Sequence, residues 1–130
     1  MASETEKTLL IYGFNNQEEE VLKRLSDENN LPQYKVIKDD MGETTVRDIL
    51  LGKAYEKKIC NLPKEKVVLF NGCEDSDVMN GMKVIKDNFN EKPIFAVVTP
   101  TSIGWKFKEL LEHLMQEREW YESRKKQEKR

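Results

Sequence analysis

Residues 67–85 read VVLFNGCEDSDVMNGMKVI: four apolar residues in a row, Asn71-Gly72, an acidic turn, then Val78, Met82 and Ile85, with Phe89 just beyond. An apolar run that does not alternate predicts a strand covered on both faces, because a half-exposed strand would show polar residues at every second position. The spacing from Val78 to Phe89 predicts an amphipathic helix. A strand leading directly into a helix is one βα unit. Its neighbours in the chain repeat the theme.

Upstream, LLIYGFNNQEEEVLKRL (residues 9–25) has the same arrangement: apolar strand, glycine-containing turn, acidic helix start, apolar helix stripe. YKVIK (34–38) follows Leu31-Pro32 as a second strand. TTVRDILLGKAYEKK (44–58) then predicts a helix, with Val46, Ile49, Leu50 and Ala54 on one face and Gly52 either packed closely within it or marking its end. Downstream, PIFAVVT (93–99) is a fourth strand leading into a long helix from about Ser102 to the mid-120s. Strands alternating with helices predict an α/β fold. The expected form is a three-layer α/β/α sandwich around a mainly parallel four-stranded sheet of order 2-1-3-4. Pro93 suits the first residue of an edge strand. The expectation is one α/β domain over 1–130, with two β-α-β-α halves (8–60 and 66–125) or convergence on ordinary βαβ patterning as alternatives. The charged segment 122–130 reads as a frayed tail.

The chain has 130 residues, 22 basic and 24 acidic, for a formal charge of −2. Mixed charge of this kind sets up no field to collect nucleic acid or anionic lipid, so neither nucleic acid nor membrane is an expected partner. The first ten residues carry neither an apolar signal core nor a basic amphipathic pattern, and no run approaches ~20 apolar residues. A cytoplasmic location is expected. Cys60 and Cys73 are far from CxxC spacing and His113 is the single histidine. A zinc site needs about four such donors, so no metal site is expected. There is no G-x-G-x-x-G after the first strand and no phosphate-loop motif, and no cofactor is expected.

In an open parallel sheet, ligands bind outside the carboxyl ends of the strands where the strand order reverses. For order 2-1-3-4 that is a cleft between the turns after strands one and three, GFNNQEE and NGCEDSD, joined by TPTS after strand four. The candidate ligand-binding residues are Asn15, Asn71, Gly72, Thr99, Thr101 and Trp105, with Phe14, Asn16 and Asp75 beside them. Cys73 is a weak candidate: a helix start lowers a thiol pKa, but Glu74, Asp75 and Asp77 oppose that. No catalytic residue is assigned. Each candidate also has a structural reading. Asn15 or Asn16, Asp75 or Ser76, and Thr101 or Ser102 suit helix N-caps. Gly13 and Gly72 suit a positive φ. Trp105 is either a lid on the core or a wall of the cleft beside Asn71. His113, with Glu109 and Glu117 one turn away, reads as a solvated ion-pairing histidine.

The second half resembles the bacterial domain of unknown function family 3783. The likeness rests on Asn71-Gly72 ahead of an acidic helix start, then Ala96, Thr99, Pro100, Thr101 and Trp105 as an Ala-x-x-Thr-Pro-Thr corner and a Trp-led helix. Ser102 stands where that pattern often has asparagine. The resemblance implies no activity, cofactor or substrate. Three readings of function follow. The first is a small binding or regulatory domain with a protein partner, using Trp105, Trp120 and Tyr121 as contact aromatics. The second is a small-molecule-binding domain or enzyme using the loop cleft at the ends of strands 1, 3 and 4. The third is a structural subunit that self-associates through its last helix.

Overall fold

The apolar runs LLIY (9–12) and VVLF (67–70) become the two central strands. In the computed structural model, which describes residues 5–59 and 61–128 with side chains as far as Arg124, the elements are β1 (Thr8–Tyr12), α1 (Asn16–Asn29), β2 (Gln33–Ile37), α2 (Val46–Leu51), β3 (Val67–Asn71), α3 (Asp75–Asn88), β4 (Ile94–Val97) and α4 (Phe107–Glu128). Cys60 lies outside the described residues. The sheet order is β2-β1-β3-β4, and every residue of β1 and β3 is buried. Their alternate side chains feed two cores. Leu9, Ile11, Val68 and Phe70 meet Leu22, Leu25 and Ile85 of α1 and α3. Leu10, Tyr12, Val67 and Leu69 meet Val46, Leu50, Phe107 and Leu111 of α2 and α4. The result is the expected three-layer α/β/α sandwich, held by apolar burial on both faces of one sheet.

Strand direction departs from a simple parallel reading at one place. β1 pairs in parallel with β2, and β3 with β4. β1 and β3 are antiparallel, with Thr8 opposite Asn71 and Tyr12 opposite Val67. The cause lies in the connection between α2 and β3. Of the two readings of Gly52, the helix end holds: α2 stops at Leu51, short of Ala54, with Gly52 as its left-handed C-cap. Six residues rise only about 9 Å, and the segment 53–66 carries the chain back to the end of the sheet where β1 finishes. Two contacts hold it there: the Tyr12 hydroxyl donates to Pro63 O at 2.9 Å, and the Arg118 guanidinium donates twice to the Glu65 carboxylate at 2.9 and 2.7 Å.

This antiparallel centre places β1-α1-β2-α2 and β3-α3-β4-α4 about a local two-fold axis. Leu10 faces Leu69 at the middle of the register. On the axis, Val46 N–H donates to Trp105 O and Phe107 N–H to Thr44 O, both at 3.0 Å, closing an antiparallel bridge between Thr45 and Lys106. Gly13 and Gly72 end the two central strands with φ of 86° and 65°. A Cβ at Gly13 would meet Glu65 O at 2.0 Å, and one at Gly72 would meet Thr5 O at 2.5 Å. Lys66 bonds Glu18 at the start of α1, and Lys7 pairs with Asp77 at the start of α3 at 2.9 Å.

Candidate functional site

Because β1 and β3 run in opposite directions, the turns that follow them lie at opposite ends of the sheet. The cleft expected from GFNNQEE and NGCEDSD together therefore does not form. Asn15 caps α1: its Oδ1 accepts from Glu18 N–H at 2.8 Å while its own N–H donates to Glu18 Oε1 at 3.0 Å, a capping box. At the far end Asn71 is buried, and its Nδ2 donates to Glu6 O at 3.1 Å. Gly72 allows the strand beside Thr5 and Glu6 to approach. Cys73 Sγ–H donates to Asn71 O at 3.4 Å. Burial, with Asp77 adding to it, pushes the Cys73 thiol above its ordinary pKa, the opposite of what a nucleophilic thiolate requires. The α3 cap is Glu74, one residue before the expected Asp75, with Glu74 N–H donating to Asp77 Oδ2 at 3.0 Å.

Thr99, Thr101 and Trp105 do come together. They line a cavity of about 370 Å³ with Phe95, Val97 and His113. Thr99 and Ser102 lock the corner: Thr99 N–H donates to Ser102 Oγ at 2.9 Å, and Ser102 N–H to Thr99 Oγ1 at 2.9 Å. The segment Ser102–Gly104 is a 3₁₀ turn, so α4 begins at Phe107 rather than Ser102, and Thr101 makes no side-chain capping bond. Trp105 is half-buried. It rests against the α2/α4 core and meets the edge of His113 at 5.4 Å between ring centres. It is thus both a core contact and a cavity wall, but the wall is shared with β4 and not with Asn71. His113 Nε2 pairs with Glu117 at 2.8 Å.

The cavity opens onto the outer edge of β4 and continues, past Phe95 and Leu114, into a groove of about 620 Å³ between α3 and α4. Met82 and Lys86 form one rim and Leu114, Glu117 and Tyr121 the other. Within β4, Ile94 N–H donates to Lys66 O at 2.8 Å and Val98 N–H to Phe70 O at 2.9 Å. With the period of two of a strand, Ile94, Ala96 and Val98 direct their amides to β3, and Phe95 and Val97 direct theirs outward. Val97 is 48% exposed. The Phe95 ring stacks on Phe70 and carries Lys86 Nζ 5.7 Å above its centre. Phe95, Val97 and Leu114 lie outside the loop cleft expected from the sequence; the signal for the two strand residues is a run, IFAV, with no charge and a proline before it.

Two further cavities have a different character. One of about 600 Å³ lies between Lys58, Ile59 and Asn61 to Pro63 on one side and α4 on the other. Another of about 590 Å³ lies at the carboxyl ends of β1 and β2, with Asp39, Asp40 and Lys66 in its wall, where Lys66 is held by Glu18 and by Glu91 at 3.3 Å. Among the described residues, no group of three or more His, Cys, Asp or Glu is placed to hold a metal ion, and no helix is long and apolar enough to cross a membrane.

The corner, the groove and α3 all fall in the second β-α-β-α segment. Residues 66–121 match the family described as Domain of unknown function (DUF3783). The DUF3783 match begins at the residue before β3 and ends at Tyr121, the last apolar residue of α4. It therefore takes in the β4 edge, both helices that flank it and the Thr99–Ser102 corner. No curated protein and no solved structure matches the chain.

Proposed function

We propose that this protein is a binding domain whose partner docks along the open β4 edge and the groove beside it, and that Thr99, Thr101 and Trp105 border that surface. One observation carries the reading: β4 presents outward backbone groups at Phe95 and Val97 between a rim that includes Met82 and one that includes Leu114 and Tyr121. Strand addition uses just these elements, with main-chain bonds giving affinity and flanking pockets giving selectivity. An enzymatic reading finds less support. The polar candidates Asn15 and Asn71 bond the chain itself at opposite ends of the sheet, and the Cys73 thiol is raised. The same proposal treats the chain as one domain made of two β-α-β-α copies, of which the second carries the docking edge.

The test uses a displayed library of random twelve-residue peptides, selected on the wild-type protein and counter-selected on Val97→Lys. Recovery of peptides that bind wild type and lose binding to Val97→Lys is expected. Recovery of none, or of binders indifferent to Val97→Lys, would overturn the reading unless the edge is already occupied by self-pairing, which sedimentation reports.

A further inference from the structure

We infer that the partner at this edge is a second copy of the same chain, with β4 pairing antiparallel to its counterpart about a two-fold axis at Ala96. The inference rests on the reading of β4 as the docking edge and names what occupies it. The donor pattern decides between a second copy and a longer foreign strand. Outward positions along this segment are 93, 95, 97 and 99. Pro93 has no N–H, and the Thr99 N–H already donates to Ser102 Oγ at 2.9 Å. The outward donors are thus Phe95 and Val97 alone, placed evenly about Ala96.

An antiparallel partner of the same sequence sets Phe95 opposite Val97 of the second copy and Val97 opposite its Phe95. Each such pair exchanges two N–H···O bonds, so four are formed and no outward donor is left over. Ala96 then faces Ala96 in the close, non-hydrogen-bonded position, where Cα atoms approach to about 4.5 Å. A small side chain on the axis lets the two α4 layers come together. A longer foreign strand would find no donor at 93 or 99.

Symmetry supports the same arrangement. A two-fold interface must be self-complementary, with residue i meeting residue j and j meeting i, and Phe95 and Val97 meet that condition about Ala96.

Two measurements test this. In a Cys60→Ser/Cys73→Ser background, Ala96→Cys should form an intermolecular disulfide on mild oxidation, since opposed Cα atoms at that spacing lie within disulfide reach. In sedimentation equilibrium, wild type should approach twice its 15.3 kDa mass as concentration rises, and Val97→Lys, with a wild-type circular dichroism spectrum, should stay at the single mass. A wild type that stays single at every concentration overturns the second-copy inference. If Val97-dependent peptide binders are still recovered in that case, the docking-edge reading stands alone; if they are not, both fall. A dimer that Val97→Lys leaves intact and Ala96→Cys fails to cross-link places the contact elsewhere and overturns the second-copy inference, while the peptide selection alone decides the docking-edge reading.

Discussion

The two edge strands, β2 and β4, occupy corresponding places about the local two-fold, yet the chain treats them differently. At the centre of β2 stands Lys35, on the α2 face, with its Nζ donating to Leu50 O at 2.6 Å. The corresponding residue of β4 is Ala96. A lysine in an edge strand is a known way of discouraging strand addition. The difference traces to the helices that follow. α2 ends at Leu51, so Leu50 O is among the terminal carbonyls that have no partner within the helix, and Lys35 satisfies it. α4 continues to Glu128, its carbonyls at the matching turn are used by the helix itself, and a lysine at position 96 would have nothing to bond. A short helix permits a guarded edge; the long one leaves β4 open.

Five substitutions test this difference and the frame around it. The largest effect is expected at the shared frame. Gly13→Ala should lower stability by about 3 kcal/mol or more in urea unfolding, because it forces a side chain into a left-handed backbone and against the Glu65 carbonyl. Gly72→Ala should cost less, since its nearest approach is 2.5 Å rather than 2.0 Å. Equal losses would show that backbone strain alone, and not the clash, sets the penalty.

At the capped helix starts, Asn15→Ala should cost about 1 kcal/mol by removing one half of the α1 capping box. It should leave peptide binding at β4 unchanged, which separates Asn15 from the docking surface; a loss of binding would put it back. Lys35→Ala is the converse of guarding β4. It should lose about 1 kcal/mol with the Leu50 bond and gain concentration-dependent association through β2, read by sedimentation. Lost stability without association would mean that β2 is kept closed by something other than Lys35.

The smallest effect concerns acid. Lys108 and Lys106 at the start of α4 both donate to the Glu43 carboxylate and hold its pKa at about 2, against an ordinary 4.5. A pKa lowered in the folded state means that the unfolded chain binds the proton more readily as pH falls. This contribution is therefore complete above about pH 4.5 and is lost as pH falls toward 2. Glu43→Gln should flatten the acid limb of a melting-temperature profile in that window. An unchanged limb would mean that solvent screens this exposed cluster completely.

Much of this was legible in the sequence, and the exceptions have physical causes. Apolar runs and helical spacing identified four strands and four helices, because burial on two faces imposes those patterns directly. Strand order was legible too. Relative direction was not: VVLFN reads the same in either sense, and direction was set by how far α2 carried the chain, which turned on Gly52. That one element moved the site. The loop cleft drawn from Asn15, Asn71 and Gly72 assumed that β1 and β3 end together. Thr99, Thr101 and Trp105 come together because they depend only on local chain geometry after β4. The edge residues Phe95 and Val97 were hidden for a different reason, since an apolar strand residue carries no mark of whether its backbone groups face a neighbour or solvent.

Amide hydrogen exchange, followed residue by residue as the protein is concentrated, reads the two edges of the sheet separately. Exchange at Phe95 and Val97 should be fast in dilute solution and slow with concentration if β4 pairs with a second copy, while exchange at Tyr34 and Val36 of β2 should not change. Rates at Phe95 and Val97 that are independent of concentration, or slowing at β2 in their place, would contradict that pairing.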